Sequence, residues 1–346
     1  MRIIHLLQSD KYSGAESIVC QIIDLFRNEP DIEMIYVSPD GSIREELERR
    51  RIEFYPIERF SQENIDLAIR ELKPDIIHAH DFNASVRASR YKHMRVISHL
   101  HNNPLWLPKL CKYSIVYALS AKRYEKIIGV SDVILKEYLF KNRIKDKFVY
   151  LPNIVDSKKV LDQSTDGFVE PIDILYVGRL SDPKNPIGFL KIIKKVLERS
   201  ENKPSVVMLG VGPLQTECDR FIRENGMNCF VEMRGFDANP YKYMNASKIL
   251  IMPSKYEGFG LVAVEAMVLG KTVLASPVGG LVNILKDGGG ILCEDEDSFV
   301  ENTINLLWDE NKRREIGIKA QISAERFLDK NGYKETLKEI YLDREQ

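Results

Sequence analysis

The sequence predicts an α/β protein made of two doubly wound, parallel-sheet domains. Short apolar runs alternate with helix-length amphipathic stretches along nearly the whole chain, which is the β-α pattern of a parallel sheet. The pattern breaks at the polar stretch Asp162-Gln163-Ser164-Thr165-Asp166-Gly167 and restarts at Pro171. A chain of 346 residues also favours two domains over one.

In the first series, strands are expected at Ile3–Leu7, Met34–Val37, Asp75–Ala79, Val96–His99, Ile127–Val130 and Val149–Leu151. Helices are expected over 15–28, 43–51, 62–72, 83–92, 110–122 and 132–140. The second series places strands at Ile174–Val177, Val206–Leu209, Phe230–Met233, Ile249–Met252, Thr272–Ala275 and Ile291–Leu292. Its helices fall near 186–199, 213–225, 240–246, 261–269, 297–308 and 312–328. The expected domains are therefore residues 1–165 and 166–330, both Rossmann-like. An amphipathic terminal stretch, about 331–346, is expected to pack back on the first.

Net charge is −1, so the chain as a whole offers nothing that would draw nucleic acid. Charge is unevenly spread, however: residues 84–150 carry 14 Lys/Arg against 4 Asp/Glu, a balance of +10 that leaves −11 for the rest. Such a region suits an anionic substrate or membrane surface, or is simply a solvated basic face. Near 105–119, Trp106, Leu107, Leu110, Tyr113, Ile115 and Val116 interleave with lysines. The stretch reads as a core-facing helix or as a segment lying on a membrane interface, and it is too short and polar to cross a bilayer. Five dispersed cysteines without a Cys-x-x-Cys pair suggest reduced thiols, and the chain opens directly on a strand pattern without a signal peptide, so a cytoplasmic location is expected.

The densest chemistry lies in Tyr256-Glu257-Gly258-Phe259-Gly260-Leu261-Val262-Ala263-Val264-Glu265. A strand precedes it and a helix follows, so Glu257 and Glu265, eight residues apart, are expected at one crevice. In an open α/β sheet, that crevice is where ligands bind. The glycines let backbone approach a ligand, and the helix N-terminus favours phosphate. Arg179 and Lys184 stand five residues apart in the loop after the first strand of the second series. Two cations at that place suit a diphosphate; as mere surface charges they would oppose the helix dipole. Gly210-Val211-Gly212 is a tight turn or a ligand loop, and Phe236 a core-edge ring or a platform for a base. In the first series Gly14 opens a helix, as turn punctuation or as part of an anion nest. His78, His80, His99 and His101 gather in its later strands. No cysteine or carboxylate cluster completes a metal site among them, so His101 is read as a substrate-binding or orienting group, and the other three either as satisfied structural histidines or as functional ones. Neither series has a Gly-x-Gly-x-x-Gly fingerprint after its first strand, and there is no P-loop, which argues against a nicotinamide or flavin enzyme and an ordinary ATPase.

These pieces together resemble the retaining glycosyltransferases of family 4, which have the GT-B architecture of two Rossmann-like domains facing a central cleft. The matching elements run along nearly the whole chain: Ser13-Gly14-Ala15-Glu16, His80, His101-Asn102, Gly129-Val130-Ser131, Pro152-Asn153-Ile154-Val155-Asp156, Gly178-Arg179-Leu180 with Lys184-Asn185, Gly210-Val211-Gly212-Pro213, Glu257 to Glu265, and Gly279-Gly280. The general look is similar to bacterial capsule, exopolysaccharide and lipopolysaccharide enzymes.

The resemblance implies that Arg179 and Lys184 grip the donor diphosphate, with Gly14 approaching it from across the cleft. Glu265 would bond the ribose, and Glu257 with the amides of Phe259, Gly260 and Leu261 would hold the sugar and phosphate. His101 would lie near the reacting sugar or acceptor. It implies a nucleotide-sugar donor, with a UDP-sugar favoured, a glycan or lipid-linked acceptor, and no metal or other cofactor. The +10 region adds contact with an anionic membrane at the inner face of the cell membrane. Ser13, Ile154 and Asn283 stand where the family often has Gly, Gly and Glu. A nucleotide-sugar 2-epimerase of the same fold and a non-catalytic partner subunit are the rival readings.

Overall fold

A computed structural model describes residues 1–343; the last three positions of the expected terminal helix, 344–346, lie outside the described residues. The chain divides into two compact units, Met1–Ile154 with the segment from Asp329 onward, and Val155–Leu328.

The first unit is built on a seven-stranded parallel sheet in the order β3-β2-β1-β4-β5-β6-β7. Its strands are β1 (Arg2–Leu6), β2 (Glu33–Pro39), β3 (Phe54–Ile57), β4 (Ile76–His80), β5 (Arg95–Leu100), β6 (Lys126–Gly129) and β7 (Phe148–Tyr150). The connecting helices are α1 (Gly14–Phe26), α2 (Ile43–Arg50), α3 (Gln62–Leu72), α4 (Asp81–Ala88), α5 (Lys112–Ser120) and α6 (Val133–Glu137). The central strands are buried on both faces because helices cover both, as in doubly wound sheets generally. All five residues of β4 are buried. One face builds a core around Ile4, Leu6, Ile77, Ala79, Val96 and Leu100.

The second unit begins with α7 (Ser157–Ser164) and holds a six-stranded parallel sheet, β10-β9-β8-β11-β12-β13. Its strands are β8 (Ile172–Val177), β9 (Val206–Leu209), β10 (Val231–Gly235), β11 (Ser247–Met252), β12 (Thr272–Ala275) and β13 (Ile291–Leu292). Between and after them come α8 (Pro186–Arg199), α9 (Gln215–Glu224), α10 (Tyr241–Ala246), α11 (Leu261–Val268), α12 (Gly280–Leu285), α13 (Glu296–Leu307) and α14 (Glu310–Ala324). The last helix, α15 (Lys330–Leu342), packs on α1 in the first unit.

Several local features depart from the sequence reading. The junction lies at 154/155, not 165. The polar run read as a break is in part α7, capped by Asp156 accepting from the Lys159 amide and packed on α10 and α11. Strand β3 and helix α12 were not expected; β3 is a four-residue edge strand containing Pro56, tolerable only at an edge. The stretch around Trp106 divides between core and surface. That ring packs inward against Phe82, Tyr117 and Tyr138, whereas α5 buries Ser114, Tyr117, Ala118 and Ser120. The helix thus turns Tyr113, Ile115 and Leu119 outward, and Leu110 just before it is 73% exposed.

Candidate functional site

Each sheet reverses its winding once. In the second unit the reversal falls between β8 and β11, and the loops leaving these neighbouring strands form the candidate donor site. The loop after β8 carries Arg179, whose side chain is exposed, and Lys184. The loop after β11 carries Glu257. Lys184 Nζ donates to Glu257 Oε2 at 2.5 Å, with the carboxylate side chain 9% exposed. The pair puts one positive and one negative group at the mouth of the switch point.

The glycines around these loops serve close packing. A Cβ on Gly210 would stand 2.0 Å from the Gly178 carbonyl oxygen, and one on Gly212 would stand 2.3 Å from that of Leu180. The Gly210-Val211-Gly212 turn is thus pressed onto the loop that bears Arg179. Likewise Gly280 lies against the carbonyls of Gly258 and Phe259, and its amide donates to Gly258. Gly260 caps α11 at φ +110°, a left-handed conformation that a side chain would resist. The Phe259 ring is buried edge-on against Phe327, so only its backbone is available to a ligand, as for Gly260 and Leu261 at the helix start.

Glu265, one turn into α11, accepts from the Tyr241 hydroxyl at 3.0 Å. Burial raises its carboxyl above the usual range; the Tyr241 bond works in the opposite direction. The two carboxylates of the motif therefore have different partners, one a lysine and the other a phenol. Phe236 follows β10 and is 69% exposed, a free aromatic face and not a core-edge ring.

In the first unit the reversal falls between β1 and β4, and there a cavity of about 540 Å³ opens. Leu7, Gln8, Ser9, Glu16, His80, Asp81, Asn83 and Asn102 line it, with Trp106 and Tyr113 at one side. Gly14 is the first residue of α1, next to the lining residue Ala15. The Ser13 hydroxyl donates to Glu16, whose carboxyl burial pushes upward. Asp81 was not singled out from sequence. It sits at φ +62°, a strained position for a non-glycine, and accepts from the His101 amide at 2.9 Å. Burial pushes its carboxyl up to about 6.

His101 itself is 5% exposed and is not among the residues lining the cavity; His80 is. The structure gathers more imidazoles than the sequence reading did. Parallel register aligns His5 with His78 and His80 with His99, and two-residue alternation adds His101, so five imidazoles share one face of the sheet. His5, on the first strand, was missed because nothing in a single sequence gives the register between distant strands.

Residues 12–159 match the pattern of Glycosyltransferase Family 4, and residues 158–322 that of Glycosyl transferases group 1. An uncharacterized glycosyltransferase of Methanocaldococcus jannaschii is 28% identical over 264 residues, 73% of this chain and 71% of that protein. A Campylobacter jejuni N-acetylgalactosaminyltransferase that acts on a diphospho-undecaprenol-linked sugar is 30% identical over 158 residues, 44% of this chain and 42% of its own length. Among solved structures, Anabaena HepE in complex with UDP and glucose superposes with a TM-score of 0.85 at 20% identity, covering 99% of both chains. The chain is therefore built from a glycosyltransferase family 4 domain followed by a group 1 glycosyltransferase domain, in the GT-B fold.

Proposed function

We propose that the protein is a retaining glycosyltransferase that moves a hexose from a nucleotide sugar, UDP-linked in preference, to a glycan or lipid-linked acceptor in surface polysaccharide synthesis. The observation that carries this reading is the Lys184–Glu257 pair beside Arg179 at the switch point of the second sheet. In the reaction the bond between the anomeric carbon and the diphosphate oxygen breaks, and the acceptor hydroxyl oxygen bonds that carbon. The hydroxyl proton passes to the departing diphosphate. Arg179 and Lys184 offset the charge that develops on the leaving group, which makes catalysis chiefly electrostatic and positional and leaves no need for a metal at the diphosphate. Glu257 holds the sugar, Glu265 the ribose, and the exposed Phe236 the base. The cavity lined by Glu16, His80 and Asp81 receives the acceptor, next to the buried His101.

UDP and glucose bound to the Anabaena neighbour, and the lipid-linked acceptor of the Campylobacter relative, support this choice of donor and acceptor class. The exposed apolar side of α5 beside the basic stretch 84–150 supports contact with an anionic membrane.

A thermal-shift panel with UDP, GDP, ADP and CMP tests the donor site. A nucleotide at 100 times its dissociation constant stabilises the fold by about 2.7 kcal/mol, and UDP is expected to do so. K184A is expected to lower transfer kcat/KM about 10- to 150-fold, the equivalent of one charge-assisted hydrogen bond. Transfer by R179A and K184A at the wild-type rate would sink the assignment. Conversion of the donor sugar without an acceptor would favour the epimerase, and tight partner binding without nucleotide binding the non-catalytic subunit.

A further inference from the structure

Five of the six histidines stand on one face of the first sheet, stacked ring to ring. Ring centroids are 4.1 Å apart for His99–His101, 4.4 Å for His78–His80 and 5.1 Å for His80–His101. None of the five is more than 5% exposed. Hydrogen bonds account for part of this array. His5 Nδ1 contacts His80 Nε2 at 3.0 Å, His80 Nδ1 contacts His101 Nε2 at 2.8 Å, and the Tyr341 hydroxyl meets His78 Nδ1 at 2.8 Å. Both ring nitrogens of His99, Nδ1 of His101 and Nε2 of His78 are buried with no partner. A buried polar group left unpaired costs about 1–3 kcal/mol, and an unseen ion is one of the few physical reasons for leaving it so.

We propose that His80, His99 and His101 form a binding site for one divalent transition-metal ion of the zinc, cobalt, nickel or copper class, with a further coordination position open toward the first unit's cavity. The three residues offer one ring nitrogen each, all within 4.8 Å of one another. Nitrogens about 2.0–2.1 Å from a tetrahedral zinc lie roughly 3.3 Å apart. The 2.8 Å contact between His80 and His101 therefore opens by about half an ångström on loading. His99 supplies its ligand from nitrogens that have nothing else to bind.

The surroundings fit a second sphere. His80 engages His5 through its other nitrogen, the kind of contact that fixes tautomer and ring orientation in metal sites. The His101 amide is held by Asp81. His80 and Asp81 both reach the cavity wall, which provides an entry path. Burial holds all three imidazoles well toward the neutral form, the form that binds metals. His5, His78 and His80 also lie within 4.8 Å of one another, but the second nitrogen of His5 is engaged by Met34 Sδ at 3.4 Å and one nitrogen of His78 is held by Tyr341. An all-imidazole set selects borderline transition metals over Mg²⁺ or Ca²⁺, so this ion is distinct from any that would neutralise a diphosphate. The inference does not depend on the proposed donor or acceptor.

Untagged, chelator-treated full-length protein titrated with Co²⁺ and then Zn²⁺ at neutral pH tests the site. One equivalent of Co²⁺ is expected, with the visible d–d bands of a nitrogen-oxygen ligand set, and Zn²⁺ should abolish them. H99Q should weaken binding at least about tenfold, while H93Q, which changes the exposed sixth histidine, should leave it unchanged. Failure of the folded wild type to bind, binding by H99Q as tight as wild type, or a thiolate charge-transfer band would each overturn the proposal. If H99Q does not fold, ring-nitrogen NMR of the wild type decides. Zn²⁺ should move the signals of the buried histidines, and a shift of His93 alone would refute the site.

Discussion

Glu265 illustrates how much a single side chain can carry. It sits one helical turn past the Gly260 cap, where its carboxylate has left bulk water but keeps the Tyr241 hydroxyl as a donor. A buried acceptor with one donor has lone pairs to spare, which suits it to two vicinal hydroxyls. E265Q keeps the shape and removes the charge. It is expected to raise the dissociation constant for UDP about 10- to 150-fold, the equivalent of about 1.5–3 kcal/mol for a hydrogen bond to a charged group, with little change in melting temperature. Calorimetric titration checks this; an unchanged affinity would remove Glu265 from the donor site. Lys184 and Glu257 work differently, since they are paired with each other. Replacing one changes the surroundings of the other, so single variants at this pair report more than one lost contact.

At the scale of elements, α5 buries a largely polar side and leaves apolar side chains exposed. Serine and tyrosine hydroxyls satisfy its inner side: Ser114 Oγ donates to the Lys109 carbonyl, and the Tyr117 hydroxyl contacts Ser98 Oγ at 2.7 Å. Apolar side chains are left outside, with Lys109, Lys112, Lys122 and Arg123 exposed around them. An amphipathic surface of this composition binds anionic interfaces through buried apolar area plus charge attraction. L110E/L119E is therefore expected to reduce co-flotation with phosphatidylserine vesicles at low salt severalfold while leaving UDP binding intact. Equal flotation of variant and wild type would discard the membrane reading. The glycine-bearing loops of the second unit are elements of another kind, held backbone against backbone, so a small side chain at Gly212 or Gly280 acts on the position of Arg179 or Glu257 without touching a ligand.

At the scale of the whole molecule, the buried histidine face sets an acid limit on stability. Burial lowers His5 and His101 to about 3, and His78, His80 and His99 also lie well below their ordinary value. The unfolded chain, with ordinary values near 6.5, takes up protons that the folded protein refuses. The associated stability is thus present above pH 6.5 and is lost as pH falls from there toward 3, at up to about 1.4 kcal/mol per pH unit for each histidine. Asp81, Glu16 and Glu265, raised by burial, oppose this loss but are fewer. The urea midpoint is expected to drop steadily from pH 7 to pH 5, and a flat profile would contradict the buried, neutral array. The returning helix α15 adds to the same face. Tyr341 bonds His78, Arg95 donates to the carbonyls of Ile340, Tyr341 and Asp343, and Lys334 and Lys338 pair with Glu29.

The parallel architecture and the strand-loop-helix placement of Glu257 and Glu265 were legible in the sequence, because both are local. Strand-length apolar runs, two-residue alternation and a loop such as Glu257 to Glu265 depend on neighbours a few positions apart. The edge strand β3 and α7 escaped because Pro56 and a polar composition mask them, and only packing on α10 and α11 makes α7 a helix of the second unit. Tertiary structure alone decided what faces what. It paired Lys184 with Glu257 across 73 residues, brought Tyr241 to Glu265, and turned Trp106 inward. It also set His5 beside His78 by register between strands separated by 73 positions. The physical reason is that register and helix rotation are fixed by burying apolar area between distant segments, a quantity no stretch of sequence contains by itself.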